Sequence, residues 1–359
     1  MDKKVNWRRT PIGVADGAWR VLDDNSCVAE SGRAVFLPID RFRREIIESD
    51  NCFLCGLPES ESKPFDYEHV IPDWVVTRFK LTGHRVRLPN ATLADTYDKY
   101  TIPCCKDCNR LLGKEMEKEI SGMTVGGYRA LINRVEAEGD AALHRLFTWI
   151  SLVYFKVHYR DRKYREHRDP RKGDGYVSDR YDWDTFHHVY CMARSVLTGA
   201  EIAPTVFGSL LILQTEDATG VQGFDYIDDS EEKVVFIRLG DLALLAVLND
   251  GQHVKPYLQG LLEGAQQLYP MDLLGIIAQA MFHNHYLINR PTYESRYDPS
   301  SRAHFITAKS TGPVAFGRPD YTFLGDKLIQ MLEQRDLLTN GTEKRIREMC
   351  SHLAATMDR

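Results

Sequence analysis

The stretch that decides the fold reads C-F-L-C-G at residues 52–56, F-D-Y-E-H-V-I-P at 65–72 and T-I-P-C-C-K-D-C-N-R-L-L-G-K at 101–114. Two C-x-x-C pairs, Cys52 with Cys55 and Cys105 with Cys108, bracket Glu68 and His69, and Asn109 follows the last thiol directly. Thiolates two residues apart can grip one ion, and Gly56 permits the tight turn that brings the first pair together. Tetrahedral zinc on four thiolates is the leading expectation, with an iron–sulfur cluster or free thiols as alternatives. Cys104, next to Cys105, competes as a ligand, but Cys105 to Cys108 repeats the spacing of the first pair.

Outward from the thiols, Phe65 to Val70 reads as a short strand stopped by Pro72, and Tyr100 to Pro103 as a second. Asn109 to Ile120 is rich in helix formers and carries Leu112, Met116 and Ile120 on one stripe. Upstream, Ile39 to Ile47 is a helix with Ile39, Phe42 and Ile46 at helical spacing. Residues 73–99 are an insertion between the strands. Its Arg78, Lys80, His84, Arg85 and Arg87 read either as a nucleic-acid-facing element or as a solvated loop, and Trp74 and Phe79 as packing residues.

The chain has 359 residues, 43% hydrophobic and 27% charged, which is the balance of a globular protein of two or three domains. No uncharged apolar run reaches the length of a membrane span, so a cytoplasmic protein without a membrane partner is expected. Five of the eight cysteines crowd into the opening stretch, a distribution that fits metal binding better than a disulfide framework. A net charge of −5 excludes a globally basic nucleic-acid binder and leaves only local patches for phosphates. One such patch is the tract from Lys156 to Lys172, where eight Lys or Arg alternate with Tyr159 and Tyr164.

That tract ends an apolar stripe through Leu143, Leu146, Phe147, Ile150, Val153, Tyr154 and Val157, read as a core helix. His187, His188 and Cys191 fall in a further helix, Asp182 to Leu197, and read as structural. From about residue 203 the character changes. Ser209 to Gln214 and Lys233 to Arg238 are strand-like, separated by an acidic stretch, and Leu242 to Leu248 is strand or buried helix. A possible strand at Phe305 to Lys309 and helices near 254–268, 271–287, 322–337 and 342–357 complete an α+β half with no recognisable motif.

E-H-V-I-P followed by C-x-x-C-N at a helix start resembles the HNH endonucleases, the ββα-metal or His-Me finger nucleases, in their zinc-ribbon form. The resemblance covers about residues 50–122. It implies an α+β chain built as a zinc-stapled ββα-metal nuclease module at 51–122. An N-terminal segment at 1–50 packs on that module, a helical extension fills 123–202, and an α+β domain of unassigned role spans 203–359. Carried over position by position, it makes His69 the general base and Glu68 and Asn109 ligands of a catalytic Mg2+ or Mn2+. Cys52, Cys55, Cys105 and Cys108 become ligands of a structural Zn2+. The family's middle asparagine falls nearest to Asn90, which lies further from the second thiol pair than the pattern has it. Arg110, Lys114, Arg85 and Arg87 are the expected DNA contacts, and Glu117, eight residues after Asn109, is a further candidate.

The implied activity is DNA phosphodiester hydrolysis in restriction or antiviral defence, with DNA as partner and room for a regulatory or sensor protein. A non-catalytic zinc-ribbon binding module and an RNase of the same fold are the alternatives. The oligomeric state is open.

Overall fold

In the computed structural model the described residues are 19–29, 32–88, 93–167, 169–264, 267–298, 300–301 and 303–357. The helix Asp140–Asp161 runs through the middle of the molecule, with Leu146 to Tyr159 buried without interruption. A helix apolar on every face has to be surrounded, and this one is. Its core takes in Phe36, Phe42 and Ile46 from the N-terminal segment, Cys52 to Cys55, Leu112 and Ile120, and Phe186 and Tyr190. The expected helix upstream of Cys52 is Ile39–Phe42, continued as a π-helical stretch Arg43–Ile47.

A four-stranded antiparallel sheet, in the order Phe224–Asp229, Val234–Leu239, Leu242–Val247, Ser209–Gln214, closes this core on one side. Its strands alternate between two buried faces, as side chains of period two must. Leu210, Val235, Ile237, Leu244 and Ala246 face the core that holds the long helix, with the helix Gly127–Glu138 against the strands Ser209–Gln214 and Leu242–Val247. Leu211, Leu213, Phe236, Leu245 and Val247 face a second core, built from the helices Lys255–Leu261, Pro270–Tyr286 and Tyr321–Glu333.

The architecture is α+β, with further small sheets at Trp19–Val21, Cys27–Ala29 and Ala34–Phe36, and at Thr292–Asp298, Ala303–Lys309 and Glu201–Ile202. Several strands fall outside the sequence reading, among them the three between Trp19 and Phe36, Glu201–Ile202, Phe224–Asp229 and Thr292–Asp298. Phe224–Asp229 lies in what reads as an acidic connection, and Thr292–Asp298 between the expected helix 271–287 and the expected strand Phe305 to Lys309, where the sequence reading assigns no element. Both are half-exposed, so neither shows the apolar density that marks their neighbours. No helix among the described residues is long and apolar enough to cross a membrane.

Candidate functional site

The turn Cys52–Gly56 closes with the Gly56 amide donating to the Cys52 carbonyl at 2.8 Å, and Gly56 sits at φ +72. That is the left-handed backbone glycine adopts without penalty. Cys105 stands at the N-cap of the helix Lys106–Leu112, and Cys108 lies in its first turn. The four buried sulfurs all fall within 4.8 Å of one another. Cys55 Sγ and Cys105 Sγ are 3.8 Å apart, the edge of a tetrahedron with bonds of about 2.3 Å to a central zinc. This donor set can hold a metal ion such as zinc. Thiols this close cannot all ionise unaided. Hydrogen bonds from Cys108, Cys52 and Cys55 hold Cys105 far below the usual thiol range, whereas burial pushes Cys52 up to about 12. Cys104 is buried outside the group and turns its sulfur to the Cys105 carbonyl at 3.6 Å. None of the eight cysteines forms a disulfide.

The cysteine centre fixes the strand beside it. Phe65 bridges to Cys105, the Asp66 amide donates to the Cys104 carbonyl at 2.9 Å, and Glu68–His69 pairs antiparallel with Thr101–Ile102. The expected strand of six residues is thus a two-residue ladder, with Val70 adding a bond to the Tyr100 carbonyl at 2.9 Å. Helix formation starts at Lys106, earlier than expected, and continues through a π-helical stretch Gly113–Glu117 into Lys118–Thr124.

Adjacent strand residues face opposite sides, and Glu68 and His69 do. Glu68 is 6% exposed and turns inward, where its Oε1 accepts from Lys156 Nζ at 2.7 Å. The same ammonium donates to the His69 carbonyl at 2.7 Å and lies 3.5 Å from Glu117 Oε1. Lys156 is fully buried, on the long helix. Burial by itself would lower its pKa, but Glu68 and Glu117 outweigh that and hold it above the usual lysine value. Burial raises Glu117 to about 7 against the opposing pull of Lys156. Sequence reasoning counts Lys156 as the first residue of a basic tract and misses this role. The signal that finds it is its position as a lone cation within an apolar run, since a buried charge needs a partner.

His69 is partly exposed, and its imidazole makes no hydrogen bond, ion pair or ring contact among the described residues. Asn109 donates from Nδ2 to the Tyr67 carbonyl at 3.2 Å, which ties the helix start to the chain just ahead of Glu68 and leaves Oδ1 uncommitted. The structure therefore brings Asn109 to the beginning of the Glu68–His69 strand. It draws Glu68 away from Asn109, into the interior, and no contact joins the two side chains among the described residues.

Of the expected DNA contacts, Arg110 pairs with Asp107 at 2.9 Å and Lys114 with Glu115 at 2.7 Å, both cations being exposed. Arg85 and Arg87 lie on a hairpin, Arg85–Arg87 with Leu93–Thr96, where Arg87 reaches Asp336 at 2.8 Å and the Gln334 carbonyl. Asn90 lies outside the described residues. The basic tract is largely spent within the chain. Arg160 binds Asp95 at 2.6 Å, Arg162 the Ile47 and Ser49 carbonyls, Lys163 Asp50 at 2.6 Å and Arg165 Asp174 at 3.1 Å.

In comparisons with known proteins, no family model, curated protein or solved structure matches this chain.

Proposed function

We propose that this chain is a metal-dependent endonuclease of the HNH kind, which hydrolyses DNA phosphodiester bonds. The supporting observation is an uncommitted, partly exposed imidazole, His69, on a strand that buried thiols and a buried lysine hold in place, with the Asn109 amide beside it. An uncommitted imidazole suits proton abstraction from the attacking water. Asn109 Oδ1 and Glu68 are hard oxygens, and these residues would hold Mg2+ or Mn2+. They match such a cation in donor type, Asn109 with its oxygen free, but Glu68 turns inward to Lys156 and away from Asn109, so the two reach one ion only if Glu68 leaves that pair. When bound, the cation would neutralise charge on the scissile phosphate and the leaving oxygen. Lys156 keeps the carbonyl of His69 in register, so that the imidazole is presented from a rigid backbone. Zinc on Cys52, Cys55, Cys105 and Cys108 is structural in this reading, and DNA restriction or antiviral defence is its cellular setting.

The Glu68–Lys156 pair favours a second reading, in which the strand is scaffold and the thiols build a non-catalytic zinc-ribbon binder. Plasmid nicking with Mg2+ or Mn2+ separates the two. His69→Ala is expected to lose on the order of 10²- to 10⁴-fold in rate with zinc content unchanged. Equal rates for the two proteins, or no cleavage by either, would overturn the nuclease assignment. RNA assayed in parallel reports whether ribose substrates are preferred.

A further inference from the structure

A cavity of about 260 Å³ opens beside the Glu68–His69 strand, between Tyr67 and Thr101 on one wall and Arg160 and Lys163 from the end of the long helix on the other, with Asp50 and Glu59 at its margin. Thr101 is the register partner of His69. Directly opposed residues of an antiparallel pair project from the same face, so through Thr101 the cavity borders the histidine's side of the ladder, while Ile102, the partner of Glu68, also lines it. Its volume falls below the roughly 300 Å³ at which sites for whole drug-sized ligands begin, which suits one unit of a longer chain.

Tyr67 is the unusual residue here. It is 49% exposed and holds φ +46, in the left-handed region that aromatic residues rarely adopt. The Asn109 side chain secures that conformation through the Tyr67 carbonyl. Strain kept at a residue two positions from a candidate general base points to use. The charges around the cavity, by contrast, are partnered. Lys163 pairs with Asp50 at 2.6 Å, Arg160 with Asp95 at 2.6 Å, and Glu59 accepts from the Phe65 amide at 3.1 Å. Arg162 lines the cavity as well, so three cations face two carboxylates and charge does not separate a duplex from a single strand; the exposed aromatic ring does, as a platform for a base without a pairing partner. The Lys163–Asp50 pair is solvent-facing and weak enough for a phosphate to take the place of Asp50.

We propose that this cavity receives one unpaired nucleotide of the DNA strand beside the bond to be cut, its base on Tyr67 and its phosphate on Lys163. The preferred substrate then carries a single-stranded segment at the cleavage point. This rests on the nuclease reading above, and its test is arranged to fail independently of that reading.

The test measures binding of a labelled single-stranded DNA oligonucleotide, the same sequence as a duplex, and its RNA counterpart to zinc-loaded His69→Ala protein at near-physiological salt. The single strand is expected to bind more tightly than the duplex. Adding Tyr67→Asn, which suits left-handed backbone but removes the ring, should weaken single-strand binding by roughly 5- to 150-fold. Adding Tyr67→Phe instead should preserve it. Adding Lys163→Ala should lower the salt dependence of single-strand binding by about 0.7 in log–log slope, one phosphate's worth. Zinc content and melting temperature of each variant report folding. Tighter duplex binding, an unchanged affinity in the Tyr67→Asn background, or preference for RNA overturns the proposal. If wild type nicks plasmid and Tyr67→Asn neither weakens strand binding nor slows nicking, the subsite fails and the nuclease stands. Strand binding that depends on Tyr67, without cleavage of any DNA in Mg2+ or Mn2+, retains the subsite and removes the nuclease.

Discussion

The Glu68–His69 ladder and the four-stranded sheet are held by opposite means. The first pairs two residues with two, whereas every pairing in the second runs six with six. A two-residue ladder cannot support itself, and its position depends on a few point contacts: four sulfurs, the Lys156 ammonium and the Asn109 amide. The sheet is held by apolar side chains buried on both faces, a contribution spread over many residues. The difference teaches where chemistry can be carried. Point contacts leave His69 partly exposed and uncommitted, while a distributed core leaves its side chains nothing to do but pack. It also says how each region should break, abruptly in one and gradually in the other.

Metal removal gives the largest expected effect. Stripping zinc with a chelator, or Cys108→Ser, should remove on the order of 10 kcal/mol of apparent folding free energy from the thiol region. Hydrogen exchange should then show lost protection across residues 52–112 and retained protection in Leu242–Val247. Simultaneous loss in both places would break the comparison and make the molecule a single cooperative unit.

Lys156→Met comes next. It leaves the Glu68 carboxylate buried without its cation, at a cost of about 3–5 kcal/mol by denaturant unfolding, and Glu68→Gln in the same protein should recover much of it. Leu244→Ala in the sheet is expected to cost about 2–5 kcal/mol through the cavity it leaves, with no partner substitution that rescues it. Rescue in one case and none in the other is the signature that separates a point contact from a packed core.

The two regions were unequally legible in the sequence. The thiol spacing led directly to the sulfur cluster, because C-x-x-C geometry is local and fixes its own ligands. The runs Ser209–Gln214 and Leu242–Val247 announced themselves by apolar density. Phe224–Asp229 did not, because its acids are satisfied from far along the chain: Asp225 by Arg335 at 3.0 Å and Asp229 by Lys327. The Lys156–Glu68 pair spans 88 positions, and no local pattern encodes a bond of that range. The inward turn of Glu68 is different: alternation makes Glu68 and His69 diverge in any regular strand, and the expectation that Pro72 places the pair at an irregular strand end fails because both residues pair regularly with Thr101–Ile102.

A smaller effect arises where the long helix meets the sheet's edge strand. Burial, and Asp228 nearby, raise Asp161 to about 8, although Tyr100 and Tyr181 donate to its carboxylate and Arg160 opposes the shift. Asp228 is likewise raised by burial, to about 7. Between the ordinary aspartate value of 3.8 and these values the native state binds more protons than the unfolded chain. Stability is therefore fully present at acid pH and is lost as pH rises through 7 and 8. Asp161→Asn should flatten that decline in melting temperatures measured from pH 5 to pH 9. A slope that the substitution leaves unchanged would place the proton uptake elsewhere.

The smallest expected effect separates two arginines of one hairpin. Arg85 and Arg87 stand two residues apart and so on the same face, yet Arg87 is tied to Asp336 and the Gln334 carbonyl, while Arg85 is exposed with no partner among the described residues. An exposed pair such as Arg87–Asp336 is screened by solvent and adds little, so Arg87→Ala should lower the melting temperature only slightly. Arg85→Ala should leave the melting temperature alone. In DNA binding measured against salt the order reverses, because only an uncommitted cation releases counterions on contact. Arg85→Ala is expected to reduce the log–log slope by about one, and Arg87→Ala to leave it unchanged. Equal slope changes for both would mean that DNA displaces Asp336 from Arg87, making the contact with the C-terminal half exchangeable for phosphate and the hairpin part of the binding surface.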